Sequence, residues 1–193
     1  MRRVTLKDGR EVYIRSLASE DLDQLMTFYR ELPLEDRKYL RIDVTNKDAV
    51  EQRIRAIKEG AALRYISLMD DTIISIGSLE FFNDEWRRNH GEIRVVVSRG
   101  QQRKGLGTIM ISELYLKAME RKVEKIVAKM MRPQVGARKI FKKLGFREDV
   151  LIPAYVTDLE KRTQDLVIMS CDMKNLWKEL ESFYRDSDWT RCR

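Results

Sequence analysis

Two cysteines and a single histidine among 193 residues leave little for metal chemistry. Cys171 lies in an apolar run and Cys192 in the last few residues, and neither has a partner at ligand spacing; His90 stands alone. A structural zinc site is not supported, no metal is expected, and no disulfide is suggested. Proline is also scarce. Pro33, Pro133 and Pro153 each fall between periodic segments, and no Pro/Gly/Ser-rich linker, repeat or low-complexity stretch divides the chain. No apolar run approaches the roughly 20 residues that span a bilayer as a helix. The opening Met1-Arg2-Arg3-Val4-Thr5 lacks the apolar stretch of a signal peptide. A cytoplasmic protein with no membrane partner is the expectation.

What is present is a globular mixture, 43% hydrophobic and 36% charged. The net charge of +7 is unevenly spread: residues 99–147 hold 14 Lys and Arg against 3 Asp and Glu. A concentrated basic block attracts a polyphosphate, a nucleic acid or an acidic protein, or is a solvated face on two helices. Charge alone does not choose among these.

Hydrophobic periodicity orders the chain. Glu11–Arg15 reads as a strand after a turn at Asp8-Gly9. Ser19 is a candidate N-cap for a helix with Leu22, Leu25, Met26 and Tyr29 on one stripe. A second helix is predicted over Asp48–Glu59. Strands follow at Leu63–Met69 and Thr72–Phe82 around Asp70-Asp71, a weak hairpin signal, and at Glu92–Val97. A helix over Thr108–Arg121, a strand over Lys125–Met131 and a helix over Val135–Leu144 come next, the last closed by Gly145. Strands near Phe146–Tyr155 and Asp165–Asp172 precede an amphipathic helix about Asn175–Tyr184. Helices interleaved with strands, and hairpins at both ends, predict an α/β fold: a mixed sheet with helices on both faces.

The most informative stretch is Val95-Val96-Val97-Ser98-Arg99-Gly100-Gln101-Gln102-Arg103-Lys104-Gly105-Leu106-Gly107-Thr108. A strand enters a loop with glycines and a helix begins at once. The first N–H groups of that helix lack intrahelical acceptors, and the dipole favours an anion there. Gly105 and Gly107 permit unusual dihedrals and close approach, and Arg103 and Lys104 add charge. A phosphate or pyrophosphate is the predicted ligand group. Neither the Walker A spacing nor the dinucleotide G-x-G-x-x-G is met, and an ordinary β–α turn would use the same glycines.

Gln102-Arg103-Lys104-Gly105-Leu106-Gly107 resembles the Q/R-x-x-G-x-G/A signature of the GNAT acetyltransferases. Gln134 to Phe146 is similar to that family's N-x-x-A-x-x-x-Y-x-x-x-G-F helix, and the element order also fits, over roughly residues 11 to 173. The resemblance implies a sheet of about seven strands, two of them parallel and splayed around acetyl-CoA as cosubstrate. Residues 1–173 would form the acetyltransferase domain and 174–193 a helical extension and tail. It also implies that backbone groups of Val95, Val96 and Val97 meet the pantetheine arm. Those of Gln102, Arg103, Lys104, Gly105, Leu106, Gly107 and Thr108 would meet the pyrophosphate. Gln134, Arg138 and Phe141 are further cofactor-side positions.

Acyl transfer to an amine needs a base, a stabilised oxyanion and a leaving thiolate. Glu92, on the strand leading into the loop, is the candidate base; the alternative is a strand carboxylate paired with Arg94 or another cation. Glu80, Asp84 and Glu85 either bind a cationic substrate or are solvated. Phe141 stands where the family often has a proton-donating Tyr, which leaves Tyr155 as the candidate donor, or solvent and the product ammonium. Gln134 replaces the usual Asn. The start of the chain and the Glu92-x-x-Val95-Val96-Val97 spacing more weakly resemble bacterial protein lysine acetyltransferases, so the acceptor is expected to be a protein lysine or a small amine. A catalytically silent acyl-CoA-binding module is the alternative in another class. Nucleic-acid binding is not favoured, because no Arg/aromatic stacking motif accompanies the basic block. A monomer or homodimer is expected.

Overall fold

A computed structural model describes residues 1–173. The predicted helix after Asn175 lies outside the described residues. Eight strands form one sheet: β1 (Arg2–Thr5), β2 (Glu11–Ser16), β3 (Ala62–Met69), β4 (Thr72–Phe81), β5 (His90–Val97), β6 (Lys125–Met131), β7 (Arg147–Thr157) and β8 (Thr163–Asp172). Their spatial order is β1-β2-β3-β4-β5-β6-β8-β7. Every neighbouring pair is antiparallel except β5 and β6. The helices are α1 (Leu22–Glu31), α2 (Leu34–Arg37), α3 (Lys47–Lys58), α4 (Leu106–Glu120) and α5 (Val135–Lys143).

The helices divide between the two faces, as the burial pattern requires. Leu25, Met26, Phe28 and Tyr29 of α1 and Val50 and Ile54 of α3 pack with Ile66 and Ile76 of the sheet. Ile111, Leu114, Tyr115 and Ala118 of α4 and Phe141 of α5 pack with Leu79, Ile93 and Met169. Close approach of α4 to β4 depends on Gly77, where a Cβ would lie 2.8 Å from Leu114 Cδ1.

Three expectations change. The strand count is eight rather than about seven, because β1 was not anticipated. It is an edge strand whose Arg2 reaches the buried Glu113 of α4 at 2.7 Å. Ser19 is not an N-cap: it begins a 3-10 turn, and the Asp21 carboxylate accepts the Ala18 N–H at 2.8 Å while Arg15 pairs with it. The helix after the glycine loop starts at Leu106, two residues before the predicted Thr108, so Gly107 sits inside its first turn.

Candidate active site

Parallel pairing of β5 and β6 lasts three rungs: His90 with Lys125, Gly91 with Ile126, Glu92 with Val127. Beyond Glu92 the strands diverge. β5 continues to Val97 hydrogen-bonded only to β4, and β6 continues to Met131 against β8. A crevice opens between the carboxyl ends of two parallel strands, where α/β sheets bind ligands. Backbone groups of β5 beyond Glu92 line its edge. Val95 and Val97 turn their side chains toward the α4 face and Val96 toward the α1–α3 face.

At the end of β5 the chain makes a 3-10 turn over Arg99–Gln101 and enters α4 through Gly105. Arg103 and Gly105 both have positive φ, 62° and 90°. Alternation of left-handed with right-handed residues turns successive N–H groups inward as an anion-binding concavity. An L-residue held at positive φ in such a loop marks local strain of the kind retained at ligand sites. Leu106 is buried, so only its backbone is available, whereas Thr108 is exposed. Gly107 has ordinary helical φ, and the expected unusual dihedral is confined to Gly105. Lys104 is directed inward: its Nζ donates to the Gly100 carbonyl at 2.5 Å and to Gln101 Oε1 at 3.2 Å. It braces the loop. Gln102 donates to the Val97 carbonyl at 3.2 Å, closing the strand end.

Glu92 occupies the rung at which the strands part and is 5% exposed. Its carboxylate pairs with Arg41 from the loop after α2, with Arg94 at 3.2 Å and with Lys129 of β6 at 3.1 Å. The Lys129 pair spans the crevice. Burial pushes the Glu92 carboxyl up, but Arg41, Lys129 and Arg94 outweigh it and hold the carboxyl below its ordinary value. Glu80 lies directly opposite Glu92 on β4. Two facing carboxylates repel, and Glu80 is held by Arg64 at 3.0 Å and Arg53 at 3.2 Å. Glu80 is therefore tied to two arginines, with its side chain still 33% exposed. Asp84 caps a turn and pairs with Arg87.

The remaining predicted positions lie apart from Glu92. Phe141 is buried, its ring 4.7 Å from that of Phe146 in an edge-on contact, so it packs in the core. Gln134 Oε1 accepts the Met131 N–H at 2.8 Å and fastens the end of β6. Arg138 pairs with Glu148 of β7 at 3.4 Å, which ties α5 to the sheet. Tyr155 stands on the edge strand β7, 64% exposed, with β8 between it and β6.

Sequence reasoning did not anticipate the group beside Glu92. Tyr29, Arg41, Arg53, Arg64, Ser78 and Arg94, with aliphatic walls, line an open cleft between α1, α3 and the sheet. Arg64, Ser78 and Arg94 face one another across three strands. The signal available in sequence was a charge placed inside each of two apolar strands, Leu63-Arg64-Tyr65 and Ile93-Arg94-Val95.

The geometry has clear relatives. The crystal structure of the ribosomal-protein-alanine N-acetyltransferase of Brucella melitensis is similar over 83% of this chain and 99% of its own, with TM-score 0.74 and 20% identity. The GNAT domain of PAT from S. lividans matches over 89% and 96%, with TM-score 0.75 and 15% identity. The yncA protein of Salmonella typhimurium, solved with its cofactor acetyl-CoA, matches over 84% and 94%, with TM-score 0.75 and 18% identity. No curated protein sequence matches the chain. Among the described residues no helix is long and apolar enough to cross a membrane, and no His/Cys/Asp/Glu group is arranged for a metal ion. The family model for the acetyltransferase (GNAT) family matches residues 19–146, more than half of the chain, and the chain belongs to that family.

Proposed function

We propose that the protein transfers an acetyl group from acetyl-CoA to a primary amine, a small molecule or a protein lysine, by direct attack. The observation that carries this reading is the divergence of β5 from β6 immediately beyond Glu92, at the mouth of the Gly105 loop. The opened edge of β5, Val95 to Val97, suits the amides of a pantetheine arm. The backbone N–H groups of the loop and the start of α4, through Thr108, suit a pyrophosphate. Acetyl-CoA supplies the thioester carbonyl that the amine attacks.

Glu92 is the group that accepts the proton of the attacking amine. It stays ionised at neutral pH because Arg41, Lys129 and Arg94 surround it. A weak base suffices, since the nitrogen becomes strongly acidic as its bond to the carbonyl forms. Tyr155 is the candidate donor to the leaving thiolate; the product ammonium or water serves the same end if it is not.

Free-thiol release from acetyl-CoA over a panel of amines and lysine peptides tests the reading. The wild-type chain turns over with at least one acceptor. Glu92→Gln lowers kcat by about 10²-fold or more while CoA affinity holds. Tyr155→Phe lowers kcat by a similar factor only if Tyr155 is the donor. CoA binding without turnover on a broad panel identifies a silent acyl-CoA-binding module, and absence of CoA binding ends the proposal.

A further inference from the structure

The cleft on the α1–α3 face of β5 has a charge imbalance that the transfer chemistry does not use. Four arginines line it, and no Asp or Glu does. The carboxylates of Glu80 and Glu92 stand beside these arginines, and Lys129 adds a further cation. Five cations thus share two carboxylates in a partly desolvated site. Arg64 and Arg53 are satisfied structurally: Arg64 Nε donates to the Arg53 carbonyl at 3.0 Å, and both guanidiniums bond Glu80. Arg94 differs. Its side chain is 19% exposed, and the hydrogen bond it makes among the described residues is one from Nη2 to Glu92 at 3.2 Å. A guanidinium carries several donors in a planar fork suited to carboxylate or phosphate. The other donors of Arg94 are not among the buried atoms left without a partner, so they face the open cleft, where an anion can take them.

Position identifies the anion. Glu92, Arg94 and Val96 alternate onto the α1–α3 face, whereas the Gly105 loop leads into α4 on the opposite face. The cleft therefore belongs to the acceptor side of the crevice. Arg94 stands two residues along β5 from the base, so an anion on its fork lies a few atoms from the reacting nitrogen. Leu40, Ile42, Val44, Ile76 and Val96 give the same cleft apolar walls.

We propose that the acceptor is a small amine carrying an anionic group, carboxylate or phosphate, seated on Arg94 with Arg41 beside it. This rests on the acetyl-transfer reading and names its substrate class. A polyamine or other cationic acceptor is disfavoured by the same charges.

Calorimetric titration of the full chain, with and without CoA, tests it using N-acetyl-β-alanine, its uncharged amide, and N-acetylated aminoethyl phosphate as product-like probes. The charged probes bind about tenfold or more tighter than the amide, by one charge-assisted contact. Arg94→Met erases the difference and Arg94→Lys recovers part of it, which a merely structural arginine would not do. The tighter of the two charged probes distinguishes carboxylate from phosphate. Equal binding of charged and neutral probes, or preference for an N-acetylated polyamine, overturns the proposal. A chain that binds CoA and acetylates neutral amines without preference loses this proposal alone. One that fails to bind CoA loses the acetyl-transfer reading and the acceptor assignment with it.

Discussion

At Glu92, burial and three cations oppose each other, and the cations prevail. The folded carboxyl is depressed, so its stabilising contribution is complete above the unfolded value of about 4.3 and is lost as pH falls through the lower folded value. Glu92→Gln mimics the protonated form and leaves Arg41, Arg94 and Lys129 without their shared anion. Removing one partner of a buried pair costs about 3–5 kcal/mol. The cost here belongs at the low end, because Arg41 and Lys129 reach water. Thermal unfolding of wild type and Glu92→Gln therefore gives a gap that is constant from about pH 5.5 to 8 and closes below about pH 4. A gap unchanged at low pH would show that Glu92 acts through packing. The same depression governs kinetics: the rise of kcat/KM above neutral pH follows the acceptor's own ammonium pKa and moves when the acceptor is changed. A midpoint fixed across acceptors would assign the limb to an enzyme group instead.

Among the elements, the β3–β4 hairpin carries an unexploited gain. Asp70 and Asp71 have φ of 49° and 57°, both left-handed, as a two-residue type I′ turn requires. The aspartates make Asp-Asp a weak signal in sequence, yet the register from Leu68–Ile73 to Met69–Thr72 imposes the turn. Gln24 donates to the Asp71 carbonyl, a backbone contact that survives substitution. Replacing the pair by Asn-Gly stabilises by about 1 kcal/mol, seen as a rise of roughly 2–4 °C in Tm; no change would mean that local bonds already offset the strain. Legibility follows the same line. β6 and α5 could be read because seven or more residues keep one period. β1 could not, since Arg2 and Arg3 give no apolar alternation, nor could α2, a single turn after Pro33. Glu92 was readable from its place before the loop. The arginine cleft was not, because Arg41, Arg53, Arg64 and Arg94 meet only through sheet register and the packing of α3.

Over the whole molecule, the fold redistributes a charge that the sequence presents as a block. Residues 99–147 hold 14 cations and 3 anions, but acidic partners arrive from elsewhere. Arg99 meets Glu35 and Asp36, Lys129 meets Glu92, Arg132 meets Asp165, and Arg138 and Lys142 meet Glu148. Lys104 is folded into its own loop. These pairings reduce the excess charge that the block offers a polyanion. Binding of a labelled DNA duplex, followed by anisotropy, is thus confined to low salt and is no tighter than about 10⁻⁵ M near 0.15 M salt. On the proposed acetyl-transfer reading CoA displaces what binding persists, since a pyrophosphate would draw on the same loop. Tight duplex binding at that salt, indifferent to saturating CoA, would instead make the block a nucleic-acid surface separate from the crevice.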